Sequence, residues 1–260
     1  MRALLLQYDI AWQSPGANFV TIEGLLRDAG QAFDVCVLPE MFSTGFTMTP
    51  GECPAGTGAD GLGKLKEWSR TYDAAFCGST VFPVDGGYAN RFFFVAEGEA
   101  LAYYDKRHLF RMAGETEAYV AGGPTPVVVS WRGARFLLQV CYDLRFPVTS
   151  SNVGAGYDVA LYVANWPSTR RGHWLGLLRA RAIENQAVVL GVNRVGTDAN
   201  GLDYAGDTVA YDALGQPLLE ALDRPGAHAA DLGIEALRAI RERLPFLRDA
   251  DHFTVHESSS

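Results

Sequence analysis

The chain has 260 residues, of which 48% are hydrophobic and 20% charged, which supports a large core and excludes global disorder. Its net charge of −8 argues against a nucleic-acid partner, while leaving room for a locally basic pocket. Four cysteines (Cys36, Cys53, Cys77 and Cys141) form no Cys-x-x-Cys pair, so neither a zinc site nor a disulfide framework is expected, and a reducing, cytoplasmic compartment is. No apolar run is long enough to span a membrane. Gln7, Tyr8 and Asp9 interrupt the N-terminal apolar run too early for a signal peptide.

Residues 2–8 read as a first strand. After Pro15-Gly16, residues 17–31 carry Phe19, Ile22, Leu25, Leu26 and Ala29 at helical spacing, closed by Gly30. Residues 33–38 form a short apolar strand ended by Pro39-Glu40. Strand, helix, strand predicts parallel pairing of the two strands. Residues 41–58, rich in Gly, Pro, Ser and Thr, read as a long loop. A helix over 62–72 places Leu62, Leu65 and Trp68 on one face, and a strand follows over 74–80. Residues 89–96 and 99–104 predict an antiparallel pair joined at Glu97-Gly98, which runs into Asp105-Lys106-Arg107-His108 and a polar loop with Gly114, Gly122 and Gly123.

Strands resume at 127–131 and 135–140 around a Gly133 turn, and Cys141 follows directly. A strand over 157–164 ends at Asn165-Trp166-Pro167. A helix over 171–187 groups Trp174, Leu177 and Leu178, and a strand over 188–194 comes next. Strand-like segments lie near 205–211 and 217–221. A last helix over 232–243 has Ile234, Leu237 and Ile240 on one side and Asp231 as its N-cap. No composition break marks a second domain, so one domain over 1–248 with a polar tail over 249–260 is expected. Alternating and fully apolar strands together predict an α/β architecture of sheets packed on each other with helices outside.

Three polar residues stand at strand ends: Glu40, Lys106 and Cys141. Strand ends on one edge of an α/β sheet converge on a common crevice. A thiol, an ammonium and a carboxylate are a complete set for acyl transfer. The thiol attacks a carbonyl carbon, and the cation lowers the thiol pKa and holds the oxyanion. The carboxylate moves the protons. Each residue also has a plainer reading on its own: a buried free cysteine, a satisfied strand-end carboxylate, a solvated loop lysine. A rival pairing sets Cys141 against His108 as base; His173, His228, His252 and His256 are the other histidines.

Leu38-Pro39-Glu40-Met41-Phe42, Tyr104-Asp105-Lys106-Arg107-His108-Leu109-Phe110 and Val140-Cys141-Tyr142-Asp143-Leu144-Arg145-Phe146-Pro147 resemble the three signatures of the nitrilase (carbon–nitrogen hydrolase) superfamily, in the same order and at similar spacing. Ala164-Asn165-Trp166-Pro167 and Arg179-Ala180-Arg181-Ala182-Ile183-Glu184-Asn185 are similar to it as well. The resemblance spans residues 2 to 248 and is greatest to the bacterial ω-amidases, the 2-oxoglutaramate amidases. It implies a four-layer α-β-β-α sandwich that forms a homodimer, with no metal and no organic cofactor. It implies Glu40 as general base, Lys106 as stabiliser of the tetrahedral intermediate and Cys141 as the nucleophile of a thioester pathway. The Tyr142 backbone N–H would complete the oxyanion hole with Lys106. Many members carry a second glutamate after the lysine; Glu115 fits that pattern best, with Glu117 as runner-up. Where many members read Arg-Phe-Pro-Glu after the cysteine, this chain has Val148, which removes one polar contact near the site.

An ω-amidase must hold a small-molecule amide by its free carboxylate, which calls for a cation. Arg145 is the first candidate, with Arg107 and Arg111 behind it; the alternative for Arg145 is an ion pair with Asp143. Phe42, Phe46, Phe110 and Trp166 are candidates for an aromatic wall, and Asn165 for orienting a site group.

Overall fold

Apolar strands without polar alternation need cover on both faces. In the computed structural model, which describes residues 1–30 and 32–255, two stacked sheets and outer helices supply it. The first half of the chain runs β1 (Arg2–Gln7), α1 (Pro15–Asp28), β2 (Val35–Val37), α2 (Thr57–Thr71), β3 (Ala75–Val84), β4 (Gly87–Ala96) and β5 (Glu99–Asp105). A one-turn helix α3 (Glu115–Ala118) precedes β6 (Val128–Trp131), β7 (Ala134–Val140), β8 (Val159–Ala164), α4 (Arg171–Glu184) and β9 (Val188–Asn193). Then come β10 (Val195–Thr197), β11 (Asp203–Ala205), β12 (Val209–Tyr211), β13 (Pro217–Glu220), β14 (Gly226–Asp231) and α5 (Ile234–Arg243).

One six-stranded sheet has the order β14-β1-β2-β3-β4-β5, the other β13-β12-β9-β8-β7-β6. Each has three parallel strands at its centre, β1/β2/β3 and β7/β8/β9, flanked by antiparallel ones. The strand period sorts the side chains. Ala3, Leu5, Val35, Val37, Phe92 and Phe94 pack between the sheets against Phe136, Leu138, Val140 and Leu161. Leu4, Leu6, Cys36, Phe76 and Phe93 point the other way, under Ile22, Leu26, Leu65 and Trp68 of α1 and α2. Trp174, Leu178 and Ala182 of α4 and Leu237 of α5 cover the second sheet. The layers are therefore α-β-β-α, as the sequence predicts.

The strand and helix order agrees with expectation through β9 except for α3, a single turn inside the expected polar loop, and the other differences have local causes. Helix α2 begins at Thr57, five residues before the expected start, because its first turns are built from glycine. A Cβ on Gly58 would lie 2.6 Å from the Val81 carbonyl oxygen, so glycine there is a packing requirement that imitates a loop composition. Asp231 does not cap α5. It ends β14, and its carboxylate accepts the Gly233 N–H while Gly233, at φ 53°, starts the helix. Strands β10 and β14 were not expected; β14 has little apolar signal because only its pairing with β1 defines it. No helix among the described residues is long and apolar enough to cross a membrane. Of the polar tail, residues 256–260, with His256, lie outside the described residues.

Gly58→Ala tests the α2–β3 contact. Alanine gains about 1 kcal/mol of helix propensity, but the clash is with backbone that no rotamer change relieves, and overpacking costs about 1–3 kcal/mol. A net loss of up to about 2 kcal/mol is expected, seen as a lower urea midpoint at unchanged m. A midpoint at or above that of wild type would show that α2 lifts off β3 freely.

Candidate active site

Three chain segments end at one place, and each is pinned by its own backbone. After β2, Leu38 N–H still donates to the Cys77 carbonyl, and Met41 turns the chain at φ 46°. Met41 N–H donates to Ser79 Oγ at 2.9 Å and Phe42 N–H to the Ser79 carbonyl at 3.0 Å, so Glu40 is fixed against β3. After β5, Lys106 N–H donates to the Asn90 carbonyl at 3.0 Å, and the Lys106 carbonyl accepts Gly122 N–H at 3.0 Å. A Cβ on Gly122 would collide with the Asp105 carbonyl, so only glycine lets the loop return this close. After β7, Cys141 opens a tight turn over Cys141–Arg145 at φ 46°. A non-glycine residue there stores about 1–3 kcal/mol and needs surroundings that hold it.

These turns bring Glu40, Lys106, Glu115 and Cys141 together, all buried. Lys106 Nζ donates to Glu40 Oε1 at 2.9 Å and to Glu115 Oε1 and Oε2 at 3.0 and 2.8 Å. The Phe46 ring lies 5.0 Å from the same nitrogen. Asn90 Nδ2 bridges the two acids, 2.8 Å from Glu40 Oε1 and 3.3 Å from Glu115 Oε1. Asn165 N–H donates to Glu40 Oε2 at 2.8 Å, and its side-chain Nδ2 to the Glu40 carbonyl at 2.6 Å. Phe110 N–H donates to Glu115 Oε2. Glu117 is exposed, which separates it from Glu115.

Burial works against the Lys106 charge, but the carboxylates of Glu115 and Glu40 hold the ammonium well above the usual lysine range. Burial also lifts the Glu115 carboxyl, with Lys106 pulling it back and Glu40 adding to the rise. The Cys141 thiol is pushed well above the ordinary thiol range, first by burial and then by the charge of Glu40; Lys106 offsets only part. The neighbouring cation does lower the thiol pKa, as expected, but burial and the Glu40 charge outweigh it. The balance favours the neutral thiol form of Cys141, beside the Glu40 side chain.

Above this cluster lies a cavity of about 790 Å³. Cys141, Tyr142, Arg145, Asn165, Trp166, Phe46 and Phe110 line it, as do Trp12, Met48, Met112, Arg170, Leu202 and Tyr204. Arg145 faces the cavity. It makes no pair with Asp143; Nη2 meets His173 Nδ1 at 3.1 Å and the guanidinium lies 4.9 Å over Trp166. Arg107 turns away to the Pro124 carbonyl. Arg170, which sequence reasoning missed, lies 5.5 Å over Phe110. Phe42 must be withdrawn from the aromatic wall. After the Met41 turn it is fully buried on the helix side of its sheet, 6.4 Å from Phe19, with its carbonyl accepting the Tyr8 hydroxyl. His108 is not partnered with Cys141; its ring Nδ1 meets Asp143 Oδ1 at 2.7 Å. Asn90 was also missed, and its one signal is an amide side chain, next to Arg91, in a strand that is otherwise largely apolar.

The sequence matches the carbon-nitrogen hydrolase family over residues 2–242. It is 48% identical over 258 residues to omega-amidase YafV of Yersinia enterocolitica, covering 98% of each chain. To a 2-oxoglutaramate amidase of Bacillus subtilis it is 28% identical, over 94% of this chain and 95% of the other. A solved CN-hydrolase superfamily protein of Xanthomonas campestris, with an arsenic adduct in its active site, superposes at a TM-score of 0.90 and 36% identity, covering 98% of this chain and 99% of that one. An amidase from Nesterenkonia sp. AN1 superposes at a TM-score of 0.82 and 28% identity, covering 95% and 98%; that structure, of a mutant, shows Michael addition of acrylamide at the active-site cysteine. These neighbours share the nitrilase-like sandwich described above.

The charge balance around the thiol yields a prediction of definite sign. Glu40→Gln removes a charge that raises the Cys141 pKa and leaves Lys106, which lowers it. The pH at which the thiolate forms is expected to fall, while amide turnover drops by about 100-fold or more for want of a proton acceptor. Thiolate absorbance against pH, measured with Cys36, Cys53 and Cys77 replaced by serine, reads the first. A rise in the midpoint would contradict this charge balance.

Proposed function

We propose that this chain, which belongs to the carbon–nitrogen hydrolase family, is a cysteine-dependent ω-amidase acting on short 2-oxo dicarboxylate monoamides such as 2-oxoglutaramate. The chain is a hydrolase of carbon–nitrogen bonds, of the amidase kind. The observation that carries the proposal is the Lys106 ammonium held between Glu40 and Glu115 beside Cys141, under a cavity that presents Arg145.

In this reading Glu40 takes the Cys141 proton as Sγ bonds to the amide carbonyl carbon. The carbonyl oxygen becomes an oxyanion held by Lys106 and the Tyr142 backbone N–H. Glu40 returns the proton to the amide nitrogen, the C–N bond breaks and ammonia leaves a thioester. Water, deprotonated by Glu40, attacks the thioester carbon; the C–S bond breaks, the acid is released and the thiol is protonated again. Glu115 holds Lys106 in place and charged throughout. Arg145 takes the free carboxylate of the substrate, with Phe110 and Trp166 as walls and Asn165 holding Glu40. A cytoplasmic homodimer belongs to the same reading. It rests on four free cysteines and on the exposed apolar side chains Val148, Ile183 and Phe253. A cavity larger than a short oxo-amide fills favours one alternative, an amidase or N-carbamoyl hydrolase of this family with a different small amide.

Cys141→Ala is expected to cut ammonia release from 2-oxoglutaramate by at least about 1,000-fold. Arg145→Met is expected to raise KM for 2-oxoglutaramate by about tenfold or more, and to change turnover of an uncharged short amide far less. Turnover of N-carbamoyl amino acids but not of oxo-amides would replace the substrate assignment. Sedimentation of the purified chain checks the dimer.

A further inference from the structure

The Asp143 carboxylate is fully buried and does not line the cavity. Its oxygens face donors only. Oδ2 accepts Val140 N–H at 2.9 Å and the Tyr104 hydroxyl at 2.9 Å. Oδ1 accepts His108 N–H at 3.1 Å and meets the His108 ring Nδ1 at 2.7 Å. The placement of these donors is the point. Tyr104 is two residues before Lys106 and His108 two residues after it. Val140 is the residue before Cys141. One carboxylate thus ties both flanks of Lys106, at the end of one sheet, to the nucleophile turn at the end of the other.

We propose that Asp143 is a positioning residue that fixes the separation of Lys106 and Cys141 and holds Cys141 at its positive φ; this rests on the catalytic roles proposed above. The bond from Val140 N–H spans the strained residue, so the turn cannot relax without breaking it. The grip continues outside the turn. The His108 ring stacks on Phe146 at 4.0 Å, and Phe146 meets the Tyr142 ring edge at 5.1 Å, which steadies the peptide whose N–H faces the oxyanion. The Tyr104 hydroxyl also accepts Arg107 N–H at 3.2 Å, so it cannot turn its proton away without cost. A carboxylate is required here because it presents two acceptors to four donors. Asparagine would set an NH2 against a backbone N–H whichever way its amide lies.

The test is the kinetics of Asp143→Asn, Tyr104→Phe and the double variant on 2-oxoglutaramate. Asp143→Asn is expected to lower kcat by about 100-fold, the cost of a displacement on the ångström scale, with KM within about threefold of wild type. Tyr104→Phe should lower kcat less, and the double variant should be no slower than Asp143→Asn, since both substitutions break one tie. Wild-type kcat in Asp143→Asn, or losses that multiply in the double variant, would overturn the proposal. If Asp143→Asn fails to fold, His108→Ala and Tyr104→Phe keep the carboxylate and are read instead. A lower kcat at constant KM in both supports the tie, and unchanged kcat in both overturns it. If wild type ignores 2-oxoglutaramate but cleaves another amide, the substrate assignment fails alone, and the same comparison is made on that amide.

Discussion

An ammonium group with no access to water is the constraint around which this molecule is arranged. Moving an isolated charge into a protein interior costs several kcal/mol even after relaxation. Lys106 avoids that cost only because Glu40 and Glu115 supply three acceptor contacts within 3.0 Å. The acids in turn need donors, and find them in Asn90, in the backbone N–H groups of Asn165 and Phe110, and in Lys106 itself. Every oxygen of the pair faces a donor. Burial first, and then the Glu40 charge, hold the Cys141 thiol well above the ordinary thiol range. On the mechanism proposed above, Cys141 would be activated by proton transfer to Glu40 as it attacks, and not stored as thiolate.

Such a cluster needs groups from elements far apart in sequence, and the stacked sheets supply them. Glu40 and Lys106 follow β2 and β5 of one sheet; Cys141 and Asn165 follow the adjacent parallel strands β7 and β8 of the other. Each sheet buries both faces, so the strand ends have little freedom, and the turns beyond them inherit that rigidity. Two of those turns use a non-glycine residue at positive φ, Met41 and Cys141. One is the cysteine of the cluster and the other directly follows Glu40. Strain of this kind persists only where neighbours over-determine it.

Much of this was legible in the sequence, and what was not has identifiable causes. Glu40, Lys106 and Cys141 stood out because each breaks an apolar strand with a group suited to acyl transfer. The βαβ start and the hairpins followed from period and turn residues; Glu97-Gly98 and Arg132-Gly133 both take positive φ, as two-residue hairpin turns require. Helix α2 hid its first turns because Gly58 was selected by the Val81 carbonyl and not by helix propensity. Phe42 was misplaced because adjacency to Glu40 says nothing of side-chain direction once Met41 reverses the backbone. Asn90 and Asp143 were invisible as site residues, since a buried polar group shows its purpose only when its partners are known. The thiol pKa was misjudged by weighing one cation and omitting burial and the carboxylate charge.

The same electrostatics bears on how a substrate would lie and how a product would leave. Glu40 and Glu115 lie buried beneath the cavity, while Arg145 and Arg170 stand on its walls. On the ω-amidase reading, a monoamide has one neutral and one anionic end, so only one orientation places its carboxylate on a guanidinium and its amide at the thiol. Hydrolysis turns the neutral end into a second carboxylate. In a poorly screened cavity, that new charge meets the carboxyl groups of Glu40 and Glu115, which offer it acceptors and no free donor. Substrate binding and product departure would then share one cause: an amide fits the floor, and the acid it becomes does not.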